Sequence, residues 1–141
     1  MATPKPILLT GILLLVAMRL SAQQAQTPQA QEAKEAKSVP VIDGGIGSCS
    51  ADLTVTDNAG EPVYNAKIRV HIAYGFGGWH KMDLEVGTNV DGKARFAGLP
   101  ERTKSGLFFR AAEGGREGSA FDDPAKTCSA QFTVALEKKN P

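Results

Sequence analysis

The stretch TNVDGKARFAGLP, residues 88–100, sets the strand pattern for the second half of this chain. Its centre, Asp91-Gly92, tolerates the positive φ angles of a two-residue turn, and the apolar Phe96 follows shortly after. Pro100 has no N–H to donate to a ladder, so the strand after the turn should end near Leu99. The stretch therefore predicts a β-hairpin.

The same kind of pattern continues on both sides of this stretch, as short runs of alternating apolar and polar residues separated by turns. A period of two places the apolar side chains on one face of a strand, which is typical of sheets buried on one side. About seven strands with turn signals every 8–12 residues, and no convincing helix, predict an all-β antiparallel sandwich. Outside the hairpin, strands are predicted at 51–55, 68–72, 82–86, 107–112 and 129–137, and a loop is predicted at the Gly-rich, charged residues 114–120.

The first 22 residues have the features of a secretory signal peptide. Lys5 gives a positive start, Ile7–Met18 is apolar, and small residues precede a cut after Ala22. The apolar run is shorter than the roughly 20 residues that a membrane-spanning helix needs, so a membrane anchor is the weaker interpretation. The exported protein is expected in the periplasm or outside the cell, and the signal does not distinguish these two destinations.

Residues 23–48 have a different composition from the rest, rich in Gln, Ala, Lys and Glu and then in Gly. Few of these residues could pack into a core, so the segment is predicted to be a flexible spacer. It would act as a tether, with a disordered tail as the alternative. The folded domain is then expected over residues 49–138.

The charge balance argues against a nucleic-acid partner. Without Lys5 and Arg19, the 16 basic residues become 14 against 15 acidic ones, a formal charge of −1. Runs of one sign are absent as well. Nothing in this balance favours binding to a polyanion.

The two cysteines, Cys49 and Cys128, are expected to form a disulfide. Export implies an oxidising compartment, and an even count suits one bridge. The alternative is two free thiols, one of them reactive, but neither a CxxC pair nor a basic neighbour supports it. The bridge would join the first and last apolar segments of the domain.

Two segments together, DLTVTDNAGEPVYNAKIRV (52–70) and TNVDGKARFAGLP (88–100), resemble the carboxypeptidase regulatory-like domains. The family shares a transthyretin-like, or prealbumin-like, β-sandwich that is also grouped as a carbohydrate-binding-type fold. The resemblance covers about residues 50–137 and implies a non-catalytic module. The residues that match its pattern are Asp57, Gly60, Pro62, Val63, Ala66, Thr88, Gly92, Phe96, Leu99 and Pro100.

One departure from that pattern is Asn65, which stands where many family members place Gly. Asn also tolerates a left-handed backbone, so the turn is expected to survive.

The sequence offers no catalytic constellation, so no enzymatic activity, cofactor or metal is expected. The related hydroxyisourate hydrolases end in Tyr-Arg-Gly-Ser, whereas this chain ends in Leu-Glu-Lys-Lys-Asn-Pro. His71 and His80 lack the acidic spacing of a zinc hydrolase and are interpreted as surface residues. A calcium site would require loop aspartates to meet at one end of the domain, and solvated turn residues are the preferred interpretation. These aspartates are Asp57, Asp91, Asp122 and Asp123.

The segment AYGFGGWHK, residues 73–81, is the candidate ligand-contact site. Tyr74, Phe76 and Trp79 lie among three glycines, an arrangement that suits stacking on a sugar or anchoring a partner protein. For Trp79 itself the favoured interpretation is that it folds back and caps one end of the core, because the chain has no other Trp.

These observations point to a secreted, non-catalytic β-sandwich module that serves protein interaction or an envelope-associated structural role. The alternative is a carbohydrate-binding module that uses the aromatic 73–81 loop. The expected partner is a protein or a polysaccharide. The oligomeric state stays open, because a sandwich with free edges can pair with another copy.

Overall fold

A computed structural model of the chain describes residues 37–139. The predicted signal peptide, 1–22, and the first part of the predicted spacer, 23–36, lie outside these residues. Within the described part there are nine strands and one 3-10 turn, Phe76–Gly78. The strands are β1 Val41–Asp43, β2 Cys49–Thr56, β3 Lys67–Tyr74, β4 His80–Gly87, β5 Lys93–Leu99, β6 Leu107–Glu113, β7 Arg116–Asp122, β8 Ser129–Ala135 and β9 Glu137–Lys138.

The strands form two packed sheets, so the predicted all-β sandwich is confirmed. The first sheet has four strands in the order β1-β5-β2-β8, and the second has five in the order β4-β3-β6-β7-β9. Their apolar faces meet in one core, where the rings of Phe96 and Phe109 lie 5.2 Å apart, centroid to centroid. The largest fully buried aliphatic side chains of this core are Leu53, Ile68, Ile72, Leu99, Leu107 and Leu136.

The pairing is not antiparallel throughout. β2 and β8 run parallel over seven matched residues, from Ser50 against Ser129 to Thr56 against Ala135, and β1 runs parallel to β5. A hairpin forces its two strands to be antiparallel, but strands joined by a long connection are free of that constraint. Both parallel pairs are of this second kind, because at least three strands lie between the paired strands along the chain.

The hairpin predicted at Asp91-Gly92 is wrong. β4 ends at Gly87 in the second sheet and β5 begins at Lys93 in the first, so the turn carries the chain between sheets. The turn itself is present, since the Gly92 N–H donates to the Asn89 carbonyl oxygen at 3.0 Å. The strand after it ends at Leu99, as predicted.

The loop predicted at residues 114–120 is also wrong, because β7 occupies Arg116–Asp122. Its inward positions include Gly118 and Ala120, whose small size hides the strand pattern. The narrow gap between β7 and β8 explains why these residues are small, because a Cβ on Gly118 would lie 2.5 Å from the Ala135 carbonyl oxygen. The strand therefore passes too close to β8 for large apolar side chains.

Part of the predicted spacer lies in the fold. β1, Val41–Asp43, extends the first sheet, and the Arg95 N–H donates to the Pro40 carbonyl oxygen at 2.9 Å. The Gly44 N–H continues this contact by donating to Ala97. Backbone hydrogen bonds hold the segment, and Val41 itself is exposed, so the side-chain pattern does not reveal the strand.

Asn65 adopts the left-handed backbone expected of it, with φ 56°. Its N–H donates to the Thr88 carbonyl oxygen at 2.9 Å, and the Thr88 hydroxyl in turn donates to the Val63 carbonyl oxygen at 2.6 Å. The β2–β3 and β4–β5 connections are thereby joined at one end of the sandwich.

The predicted disulfide between Cys49 and Cys128 is present, with 4.6 Å between the two Cα atoms. The Ser50 N–H donates to the Cys128 carbonyl oxygen at 2.8 Å, which continues the β2–β8 ladder to the bridge. The bridge closes a loop with a sequence separation of 79.

Removing the bridge should lower the free energy of unfolding by about 4 to 5 kcal/mol, because a long closed loop restricts the unfolded chain. The variant is Cys49→Ala with Cys128→Ala, measured by urea denaturation. Reduced wild-type protein should match the variant. A loss below about 1 kcal/mol would contradict this role for the bridge.

Candidate functional site

The two most exposed large apolar side chains among residues 37–139 lie together on the β3–β4 loop. Phe76 is 96% exposed and Trp79 is 85% exposed. Trp79 therefore does not cap the core, and the interpretation favoured from the sequence is wrong. We call Phe76 and Trp79 the aromatic tip.

The backbone of this loop explains why its aromatic residues stay outside. Gly75, Gly77 and Gly78 all have positive φ angles, which side-chain-bearing residues rarely adopt. A Cβ on Gly77 would lie 3.1 Å from the Trp79 ring, so the indole packs against bare loop backbone. The loop therefore turns back on itself and presents both rings to solvent.

Tyr74, the third predicted contact residue, has a different environment. Its ring is partly buried, packs against the core and stacks on His80, with 5.3 Å between centroids and an interplanar angle of 28°. Tyr74 and His80 are the residues that lead into and out of the loop. They support the base of the aromatic tip.

The aromatic tip lies at the end of the sandwich that carries the disulfide. β2 begins at this end, and β3, β5 and β7 finish there. The β5–β6 loop adjoins the tip, because a Cβ on Gly78 would lie 3.5 Å from the Lys104 side chain. We call this the disulfide end.

The loop aspartates do not come together in one site. Asp57 and Asp91 lie at the opposite end from Asp122 and Asp123, since β2 ends there and β7 ends at the disulfide end. The Asp57 carboxylate accepts hydrogen bonds from the N–H groups of Ala59 and Glu61, at 2.8 and 3.0 Å. No group of three or more His, Cys, Asp or Glu side chains placed to hold a metal occurs in residues 37–139.

Asp122 is not a solvated turn residue. It takes an inward position at the end of β7 and is 5% exposed. Burial first, and then the charge of neighbouring Asp123, raise the pKa of the Asp122 carboxyl above its ordinary value. Taking a carboxylate out of water disfavours its charged form, whereas a hydrogen bond from the Asp123 backbone acts in the other direction.

The two histidines lie on separate surfaces. His71 points outward from β3, with its Nδ1 2.7 Å from Asp83 Oδ1. His80 stacks on Tyr74 at the base of the aromatic tip. They do not form a shared site.

A second exposed aromatic pair lies on the outer face of the second sheet. Phe108 and Phe121 are 55% and 49% exposed, and their ring centroids lie 4.8 Å apart. The strand predicted at 107–112 contains Phe108, but no strand was predicted over Phe121, because most of β7 was predicted as a loop. The pairing follows from the register of β6 and β7, which sets Phe108 directly opposite Phe121.

No protein-family model and no curated protein matches this sequence. Among solved structures, the chain is similar to 3-chlorocatechol 1,2-dioxygenase from Rhodococcus opacus, with a TM-score of 0.45, 14% identity, and coverage of 72% of this chain and 64% of that one. It is also similar to hydroxyquinol 1,2-dioxygenase from Pseudomonas putida, with a TM-score of 0.45, 14% identity, and coverage of 73% and 63%. A shaft pilin from Lactobacillus rhamnosus has a TM-score of 0.41, 9% identity, and coverage of 67% and 49%.

The chain thus spans less than two thirds of each of these proteins. At such identities and scores the similarity carries no information about activity. Within residues 37–139, no helix has the length and apolar character to cross a bilayer.

Replacing Asp122 with Asn should raise the stability of the domain at neutral pH. With a raised pKa in the folded state, the carboxyl favours folding only at low pH, and this contribution is lost as the pH rises through the raised value. The gain in Asp122→Asn should therefore be largest above the raised pKa and disappear below the ordinary aspartate pKa of 3.8.

Urea denaturation at several pH values measures this dependence. Asp91→Asn, on an exposed turn at the opposite end, serves as the matched control. An Asp122→Asn difference that does not change with pH would show that the ionisation of Asp122 is not its cause.

Proposed function

We propose that this chain is an exported, non-catalytic β-sandwich module that acts by contact, in a protein-interaction or envelope-associated structural role. The observation that carries the proposal is the aromatic tip, where Phe76 and Trp79 are almost fully exposed on a three-glycine loop. Phe and Trp each bury 150–250 Å² when they are covered, and such aromatic residues dominate interface energetics.

The residues at the base of the aromatic tip hold the loop in a way that suits a contact site. Tyr74 and His80 stack at its base, and the disulfide lies at the same end of the sandwich. Binding loops that project from a rigid scaffold lose little order when they bind.

Export is supported by the disulfide, which persists in oxidising compartments. The predicted signal peptide and the predicted spacer of residues 23–48 agree with that location, and the part of the spacer before β1 would give the module reach. The resemblance to carboxypeptidase regulatory-like domains agrees with a non-catalytic role. We therefore propose no enzymatic activity, cofactor or metal for this chain.

A carbohydrate-binding role is the second candidate. The exposed indole of Trp79 favours it, because an open aromatic face stacks on the apolar face of a sugar ring. Tyr74 would contribute less, since its ring already stacks on His80.

Site-specific photo-crosslinking in the producing cells tests the contact role. A photoreactive residue at position 76 should give a discrete protein adduct, and Trp79→Ala should remove it. The same photoreactive residue at position 64 is the control, because Tyr64 is 58% exposed but lies in the β2–β3 connection at the other end. Adducts of equal yield from both positions would contradict a site at the tip.

Affinity electrophoresis against neutral polysaccharides separates the two candidates. Retardation that Trp79→Ala removes would replace the protein partner with a glycan. Trp79→Ala should leave the free energy of unfolding within about 0.5 kcal/mol of wild type, because the side chain is exposed. Neither an adduct nor retardation, from oxidised and folded protein, would reject the aromatic tip as a contact site.

A further inference from the structure

The outer face of the second sheet carries a surface that the proposed function does not use. The register of β3 and β6 sets Arg69 directly opposite Arg110, and the register of β6 and β7 sets Phe108 opposite Phe121. All four side chains are exposed, and their strand positions place them on one face. We call these residues the arginine–phenylalanine face.

Two guanidinium groups in directly opposite positions are unfavourable, because like charges on paired strands repel each other. Glu85, on the neighbouring strand β4, forms an ion pair with Arg69. Arg110 has no carboxylate or other hydrogen-bonding partner within residues 37–139. Lys67 lies on the same face two residues before Arg69, and it too lacks an ion pair in that range. The face therefore keeps a positive charge that the protein does not neutralise.

Two other cations at the border of this face have acidic partners. Arg116 pairs with Glu113, and Lys139 pairs with Glu117 at 3.3 Å. The described cations of this face without an ion pair are thus Arg110 at the centre, Lys67 beside it and Lys81 on β4. An anionic group bound beside Arg110 would relieve the repulsion between Arg69 and Arg110.

The aromatic half of the face is held in a defined place. Gly106 has a φ of 75°, and a Cβ there would lie 2.4 Å from the Phe121 ring. The ring therefore packs directly on the Gly106 backbone, with Phe108 at its side. Phe108 and Arg110 are two residues apart on one strand, which separates them by about 7 Å.

Two shallow depressions meet at the arginine pair. One, of about 630 Å³, includes Phe108 and His71 in its lining, and the other, of about 920 Å³, extends to Lys67 and Ser119. Arg69 and Arg110 line both. Together the depressions form an open track across the sheet, which suits an extended ligand.

We propose that the arginine–phenylalanine face binds an acidic polysaccharide. A sugar ring would stack on Phe108 and Phe121 while its carboxylate accepts hydrogen bonds from Arg110. Asp83 and Glu85 line the same track and would accept hydrogen bonds from sugar hydroxyls. These two carboxylates would repel the dense backbone charge of a nucleic acid, whereas widely spaced carboxylates and many hydroxyls suit this mixed surface.

This surface is separate from the aromatic tip, so the inference does not depend on the proposed function. Binding measured by affinity electrophoresis of the oxidised protein in polygalacturonate gels tests it. The matched ligand control is the same polymer with its carboxylates converted to methyl esters. Wild type should bind polygalacturonate at least tenfold more tightly than the ester, and rising salt should weaken the binding.

The matched protein control is Arg102→Gln, which removes one exposed arginine from the β5–β6 loop. Arg110→Gln should weaken binding about tenfold or more, because a charge-assisted hydrogen bond is lost. Arg102→Gln and Trp79→Ala should both stay within about twofold of wild type, since a lost surface charge away from the site changes little. Phe108→Ala with Phe121→Ala should also weaken binding about tenfold, provided that circular dichroism shows the fold intact.

Five results would overturn the proposal, the last of which also relocates the site. Four of them are equal losses in Arg110→Gln and Arg102→Gln, equal binding of the esterified polymer, tighter binding of single-stranded DNA than of polygalacturonate, and no retardation of folded protein at low salt. Loss of polygalacturonate binding in Trp79→Ala alone would move the glycan site to the aromatic tip and also reject the outer face.

Discussion

The parallel pairing of β2 with β8, closed by the Cys49–Cys128 bridge, is the constraint on which the rest of the fold depends. β2 lies between β5 and β8 in the first sheet, and its inward side chains Leu53 and Val55 are fully buried. β8 returns to it across a sequence separation of 79 at the bridge, so this contact joins the two ends of the domain. Because the strands are parallel, the disulfide lies where both begin, and that position distinguishes one end of the sandwich from the other.

That distinction gives the two ends different properties. At the opposite end, short connections are joined by buried polar groups such as the Thr88 hydroxyl, which leaves little freedom. At the disulfide end, the β3–β4 loop is closed by a local hydrogen bond from the Gly78 N–H to the Gly75 carbonyl oxygen at 3.1 Å, and it exposes Phe76 and Trp79. Loops that project from a packed scaffold often carry the contact residues of a domain. The flat outer face of the second sheet adds a surface of another kind, with paired strands holding charge and aromatic rings in register.

The strands that the sequence revealed are those with large apolar residues on one side and polar residues on the other, such as β3 and β4. The strands that the sequence did not reveal lack this contrast between an apolar and a polar side. β7 has Gly118 and Ala120 inside because β8 passes close by, and β1 is held through its backbone. The turn at Asp91-Gly92 was predicted correctly, but the pairing of the strands on either side of it was not. Local backbone preference does not specify which sheet the next strand joins. The orientation of Trp79 was not predicted either. An aromatic residue among glycines packs inward or outward according to the space that the rest of the fold leaves.

Alternation, turn residues and two cysteines were thus enough to establish the all-β class, the position of most strands and the disulfide. The strand positions depend on residues that are neighbours in the chain, and two cysteines can form only one bridge with each other. Long-range packing settled the remaining features. It made β2 and β8 parallel, buried Asp122 and set Arg69 against Arg110. Contacts of this kind join residues that are far apart in the chain, and their geometry depends on how the two sheets are stacked and registered. No local pattern encodes that stacking, so the candidate surfaces became visible only when the strands were in place.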